Sequence, residues 1–192
     1  MQNLIKNRLT TSADVKVSIS NDEQLIAEII KISEAVISAF NAGNSVYFCG
    51  NGGSAADAQH LAAEFSGRFY IDRRPLPSEA LHCNSSFLTA VGNDYGYENV
   101  YSRLIEGVGK SGDVLIGLST SGNSENIIKA FATAHAKGMT TVCLTGQGGG
   151  KMVGTTDFLI RIPSSDTPRI QESHITVGHI ICEIVETALF AK

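Results

Sequence analysis

The chain contains no tryptophan, and no run of about 18 uncharged apolar residues interrupts it, so a membrane-spanning helix is excluded. The polar start, Met1 to Thr11, has no hydrophobic signal core, and the expected address is the cytoplasm. Four cysteines, Cys49, Cys83, Cys143 and Cys182, are widely scattered without a CxxC pair, which argues against a cysteine zinc knuckle. Three of them sit in apolar runs and read as buried free thiols. Charge is sparse: 15 Lys and Arg stand against 19 Asp and Glu, a net −4, so no basic excess is on offer to a polyanion. Neither nucleic acid nor a membrane is an expected partner. No Pro/Ser-rich linker, low-complexity segment or short repeat divides the 192 residues, so they read as a single domain.

What is present is a 43% hydrophobic composition, enough for a packed core, and 19 glycines, which point to tight turns or close approach to a ligand. Residues 1–44 read as helical. Leu25, Ile26, Ile29, Ile30, Val36, Ile37 and Phe40 recur at helical spacing, with Asn21 or Asp22 to cap the start and Gly43 to stop the helix. Leu4, Ile5 and Leu9 suggest an earlier, weaker helix that wraps the core or mediates assembly. From residue 45 the texture changes to short apolar runs alternating with helical patterns. Residues 45–49, 114–118, 140–144 and 158–162 read as buried strands, with a further short one near 80–83. Helices follow the first two, and a last helix spans about 167–191. This alternation predicts an α/β sandwich with a mostly parallel sheet covered on both faces. The run Asp72-Arg73-Arg74-Pro75-Leu76-Pro77 reads as a surface turn, and Asn93-Asp94-Tyr95-Gly96 as a turn able to bind sugar hydroxyls.

Two strand-to-helix joints are built of small polar residues. Gly50-Asn51-Gly52-Gly53-Ser54-Ala55 matches GxGxxA, yet no second strand places Asp72 for a nicotinamide ribose, and no Walker loop occurs. Ser119-Thr120-Ser121-Gly122-Asn123-Ser124 is the better phosphate cradle. Its hydroxyls add donors to the unpaired amides of a helix start, where the dipole favours an anion. The blander reading is that Asn123 or Ser124 caps the next helix.

Acid–base and metal candidates follow on the flanking helices. His60 and Glu64 are four apart, about 40° around the axis, and share a face. The last helix offers Gln171 and His179, about 80° apart with a rise of about 12 Å. One ion bridges that span only with a distorted helix or ligands from neighbouring subunits. His174 lies about 140° from His179, so both cannot point at one site, and a core or interface role competes for each histidine. His82 and His135 have no evident partner. Neither GxSxG nor HExxH occurs.

Four motifs in order carry a resemblance that runs almost end to end. Cys49-Gly50-Asn51-Gly52-Gly53-Ser54, Gly92-Asn93-Asp94-Tyr95-Gly96, Ser119-Thr120-Ser121-Gly122-Asn123-Ser124 and Arg169-Ile170-Gln171-Glu172 resemble the phosphoheptose isomerases of the sugar isomerase domain superfamily. The resemblance implies a three-layer αβα sandwich with a flavodoxin-like sheet, a cytoplasmic homotetramer with sites near subunit interfaces, and one zinc ion per subunit. It implies conversion of sedoheptulose 7-phosphate to D-glycero-D-manno-heptose 7-phosphate, which feeds lipopolysaccharide or other surface glycans. By the same resemblance Ser119, Thr120, Ser121 and Ser124 hold the phosphate. Asn51, Gly52, Gly53, Asn93 and Asp94 contact the sugar. His60, Glu64, Gln171 and His179 match the metal positions, with Gln171 and Glu64 also touching substrate and Glu64 and His179 as the proton-transfer pair. A carboxylate on zinc is a poorer base, so ligation and proton transfer would alternate at Glu64. Replication-initiator-associating relatives keep the fold and tetramer but bind protein; they lack the acid and imidazole that this chain has at Glu64 and His179. A sugar-phosphate-sensing module is a further reading, disfavoured because no DNA-binding or transferase domain is attached. The stretch from Asp72 to Ser85 looks less typical of the family.

Overall fold

A computed structural model describes residues 1–191. Five strands build one sheet: β1 (Val46–Gly50), β2 (Ser78–Ala80), β3 (Val114–Ser119), β4 (Thr140–Gly146) and β5 (Phe158–Ile162). All neighbours pair in parallel, in the order β2-β1-β3-β4-β5. That is the flavodoxin-like order, with the chain reversing direction between β1 and β3. Among the described residues seven α-helices cover it: α1 (Gln2–Ser20), α2 (Glu23–Asn41), α3 (Gly53–Ser66), α4 (Ser85–Tyr95), α5 (Val100–Val108), α6 (Glu125–Ala136) and α7 (Thr167–Phe190).

Side chains alternate across a strand, and that period assigns the two halves of the core. Val46 and Phe48 of β1, Val114, Ile116 and Leu118 of β3, and Ile160 and Ile162 of β5 join α2, α3 and α7 in one cluster. Cys49, Leu115 and Cys143 point the other way, into a cluster with Val91, Tyr101, Ile105, Ile127 and Phe131 from α4, α5 and α6. Burial on both faces explains why the strands read as unbroken apolar runs. Cys49, Cys143 and Cys182 are buried free thiols, as expected, and Cys83 is exposed.

Asp22 caps α2, its carboxylate accepting from the Gln24 and Leu25 amides at 3.0 Å. Gly43, at φ 79°, follows the other end in the left-handed conformation. The weak helix at the start proves longer than its sparse pattern suggests. Leu4, Ile5 and Leu9 on α1 stay 58–68% exposed, so they join no core of this chain. None of the described helices is long and apolar enough to cross a membrane.

Three readings are corrected. The short strand lies at Ser78–Ala80 rather than 80–83, because its pairing with Val46–Phe48 begins at Ser78. Asn93 and Asp94 belong to the last turn of α4, not to a loop; the turn signature marks only its stop, where Gly96 has φ 86°. The run Asp72–Pro77 exposes Asp72, Arg74, Pro75 and Pro77 but buries the Arg73 side chain and Leu76. Arg73 turns inward because it has work there. Its Nε donates to Glu186 Oε1 of α7 at 2.9 Å, and its terminal nitrogens donate to the carbonyls of Glu64 and Phe65 at 2.8 Å and Gly67 at 3.1 Å. These are carbonyls at the end of α3, which lack intrahelical partners. Glu186 in turn accepts from the amides of Phe69 (2.9 Å), Tyr70 (2.6 Å) and Ile71 (2.8 Å). Both side chains are 2% exposed.

Removing one partner of such a pair leaves a buried charge alone. Arg73→Met is expected to cost about 3–5 kcal/mol of stability in urea unfolding. Burial alone would raise the Glu186 carboxyl, but the Ile71, Phe69 and Tyr70 amides and Arg73 together hold it below its ordinary 4.5. Its contribution is therefore complete above about pH 4.5 and lost as pH falls through the lower folded value. Thermal melts between pH 3 and 6 should show a shallower acid limb in Glu186→Gln than in wild type.

Candidate active site

In open parallel sheets the crevice for a ligand lies beyond the strand ends where the chain order reverses. Here that point is the carboxyl end of β1 and β3, and both small-residue joints arrive there. The two are tied together. The Asn51 and Asn126 amides bond reciprocally, Asn51 Nδ2 donating at 2.9 Å and Asn126 Nδ2 at 2.8 Å, and the Tyr97 hydroxyl donates to Asn51 Oδ1 at 3.1 Å. The Tyr101 hydroxyl donates to the Gly50 carbonyl just below. Asn51 thus spends most of its hydrogen-bonding capacity on the scaffold.

In the second joint the Ser119 and Ser124 hydroxyls lie 2.9 Å apart. The Ser121 hydroxyl accepts from the Asn123 amide at 3.2 Å, and Asn123 Oδ1 accepts from the Lys151 amide at 3.1 Å. Thr120 and Ser121 form one wall of a cavity of about 320 Å³. Gln147, Ser164, Ser165 and Thr167 face them, so the cavity ends at the amino terminus of the 24-residue helix α7. Hydroxyls, loop amides and a helix start are the chemistry of an anion site.

α3 and α7 cross at Gly178. A methyl there would stand 2.5 Å from the Leu61 methyls, so a larger residue would have to displace the Leu61 side chain. The close crossing puts His60 and His179 side by side, Nε2 to Nε2 at 3.0 Å, and His60 Nε2 lies 3.1 Å from Glu64 Oε1. One ligand atom each from His60, Glu64 and His179 falls within a 4.8 Å cluster. Two imidazoles and a carboxylate form a donor set that suits a divalent transition metal, zinc included. Burial, with His60 adding to it, holds the His179 imidazole below its ordinary value despite the Glu64 carboxylate. The Phe69 ring packs against it, centroids 5.6 Å apart. Burial raises the Asp57 carboxyl, against the pull of His60 one turn on.

Gln171 lies elsewhere along the same groove. Its amide sits over the first turn of α3, where a methyl on Gly53 would come within 2.7 Å of Nε2. Gly52 forms the turn into that helix, at φ 55°. Asn93 and Asp94 are exposed and bond to each other at 2.8 Å, with no side-chain bond to the other candidates. His174 is fully buried, its imidazole lowered to about 4 chiefly by burial, so it stays neutral inside the core. His135 proves to have partners: its Nε2 lies 2.7 Å from the Thr141 hydroxyl and 3.3 Å from Asp157, outside this site.

Known proteins resemble this chain over nearly its whole length. Residues 13–146 match the SIS domain family. A phosphoheptose isomerase of Aneurinibacillus thermoaerophilus is 52% identical over 99% of this chain and 96% of its own. One from Clostridium acetobutylicum is 51% identical over 100% of this chain and 98% of its own. The chain belongs to the phosphoheptose isomerases. The structure of such an isomerase from Francisella tularensis superposes with a TM-score of 0.93 at 33% identity, covering 97% of this chain and 98% of that one. The molecule is a sugar-phosphate isomerase on an α/β sandwich.

Several residues of this isomerase's site escaped the sequence reading. Asn126 and Tyr97 act through contacts 75 and 46 residues distant from Asn51, which no local pattern announces. Glu186 had a signal: an acid within the apolar stripe of α7, seven residues beyond His179. Gly178 offered another, a glycine inside a long helix beside a candidate ligand. Gly178→Ala should push α3 from α7, lowering stability by about 1–3 kcal/mol in thermal unfolding. Weaker zinc uptake against a chromogenic chelator should accompany it.

Proposed function

We propose that this isomerase converts D-sedoheptulose 7-phosphate to D-glycero-D-manno-heptose 7-phosphate through an enediol(ate). That would be the first step of heptose synthesis for lipopolysaccharide or other surface glycans. The observation that carries the reading is the convergence of the Glu64 carboxylate and the His179 imidazole at the α3–α7 crossing. Moving a carbonyl from C2 to C1 needs a base at carbon and a proton carrier between two oxygens. Glu64 takes the proton from C1 and returns it to C2. The His179 imidazole gives a proton to O2 and receives the one released from O1, its proton transfer alternating with metal ligation as at Glu64. Burial, with His60 beside it, holds that imidazole below its ordinary value, which favours the neutral form that accepts a proton.

The phosphate binds at Ser119, Thr120, Ser121 and Ser124, and the sugar hydroxyls meet Asn51, Gly52, Gly53, Asn93, Asp94 and Gln171. His60, Glu64 and His179 would hold one zinc per subunit, with Gln171 leaving its place over Gly53 to join them, and the ion would supply Lewis-acid stabilisation of negative charge on the substrate oxygens. The pair at Glu64 and His179 also separates this reading from that of a protein-binding relative, which has no use for either group.

We further propose a cytoplasmic homotetramer with sites near subunit interfaces. Leu4, Ile5, Leu9 and Val17 face outward on α1. Beside them Ile19, Ile26, Ile29, Ile30, Ile180 and Ile184 line an apolar groove of about 290 Å³ between α1, α2 and α7. Such a surface favours a second copy. Thr167 at the cavity and His179 in the triad are twelve residues apart on α7, a rise of about 18 Å. That exceeds an extended seven-carbon sugar phosphate, so a phosphate on one subunit's 119–124 loop would meet the triad of a neighbouring subunit.

The deciding experiment is turnover of sedoheptulose 7-phosphate by purified protein, before chelation, after it, and with zinc restored. Activity should fall with chelator and return with zinc; no turnover in any state overturns the reading. Glu64→Gln should lose about a hundredfold or more in kcat. Sedimentation should show a tetramer that Ile30→Glu dissociates, and a wild-type monomer would refute the assembly.

A further inference from the structure

Glu186 and Arg73 lie outside the anion cavity and the metal triad, and both are sealed from solvent. Their contacts nevertheless converge on the two residues to which the isomerase reading assigns proton transfer. Glu186 follows His179 by seven residues on α7, within about 20° of two full turns, so the two side chains leave the same face. Its carboxylate gathers three consecutive amides, Phe69, Tyr70 and Ile71. That fixes the segment carrying the Phe69 ring, which packs on the His179 imidazole. Arg73 connects the same carboxylate to α3. Its Nη2 donates to the backbone carbonyl of Glu64 itself, and its Nη1 to the next carbonyl and to Gly67. The planar guanidinium reads helix end and carboxylate together, in a fork that an ammonium does not reproduce.

We propose that Arg73 and Glu186 are positioning residues for the isomerisation: as one buried clamp they set the spacing between Glu64 on α3 and His179 on α7. The inference rests on the proposed isomerase reading. Gly178 sets how closely the helices cross, and the clamp sets how far each is turned and slid along the other. Neither residue touches substrate. Their effect passes through the Glu64 backbone and the Phe69 ring.

The test compares wild type with Arg73→Lys and Glu186→Gln in three measurements: steady-state kinetics with sedoheptulose 7-phosphate, zinc affinity against a chromogenic chelator, and thermal unfolding. Loss of an outer partner of a metal ligand commonly costs about 10–100-fold. In both variants kcat should therefore fall at least about tenfold, and zinc affinity by a similar factor. KM should stay within about twofold, since the 119–124 loop is untouched by the clamp. Wild-type kcat and zinc affinity in a variant that melts earlier would overturn the proposal, leaving the pair a stabilising feature only. A parallel fall of kcat, rise of KM and loss of cooperative melting would overturn it equally. Should Glu186→Gln fail to fold, Arg73→Lys decides alone. Should that variant also fail, the pair belongs to folding and the proposal falls. Wild type that binds zinc yet turns over no sedoheptulose 7-phosphate would count against the isomerase reading only, and the zinc-affinity comparison would still decide the clamp.

Discussion

The Arg73–Glu186 ion pair is the contact on which the geometry of α3, α7 and the segment between α3 and β2 jointly depends. A buried charge pair is a poor source of net stability, because desolvation consumes most of the attraction. Its value here lies in direction. Between them the two side chains satisfy amides and carbonyls from two parts of the chain, the end of α3 and residues 69–71, that no sheet or helix ladder reaches. An apolar pair of the same volume would fill the space and leave those groups without partners.

The site is assembled from rigid elements rather than from long loops. β1 and β3 deliver two short joints to one crevice, and α3 and α7 deliver the acid–base and metal-binding candidates to one crossing. The small residues in these places answer different needs. Gly178 yields room for another helix, whereas the hydroxyls of Thr120 and Ser121 line the cavity at the start of α7.

Legibility in the sequence followed the range of the interaction. Strands buried on both faces announced themselves as apolar runs, and four of the five were readable to within two residues. The His60/Glu64 pair was readable because four residues on a helix fix a shared face. That His179 joins them depends on a helix crossing 119 residues away, which spacing alone does not specify. α4 and α5 went unread because their turn-like Asn and Gly residues mark ends, while their helical stretches are short. Arg73 was misread because a charged residue between an arginine and an acid, just before prolines, has the composition of a surface turn. Only the tertiary partner, Glu186, makes burial affordable.

The reciprocal amide bond between Asn51 and Asn126 has a consequence for how the crevice is held as pH changes. Neither amide gains or loses a proton in the biological range. The bridge joining the two ligand-binding joints is therefore indifferent to pH, while the helix crossing carries imidazoles and a carboxylate. On the proposed isomerase reading, the frame around a ligand and the proton-transfer pair would therefore rest on different chemistries.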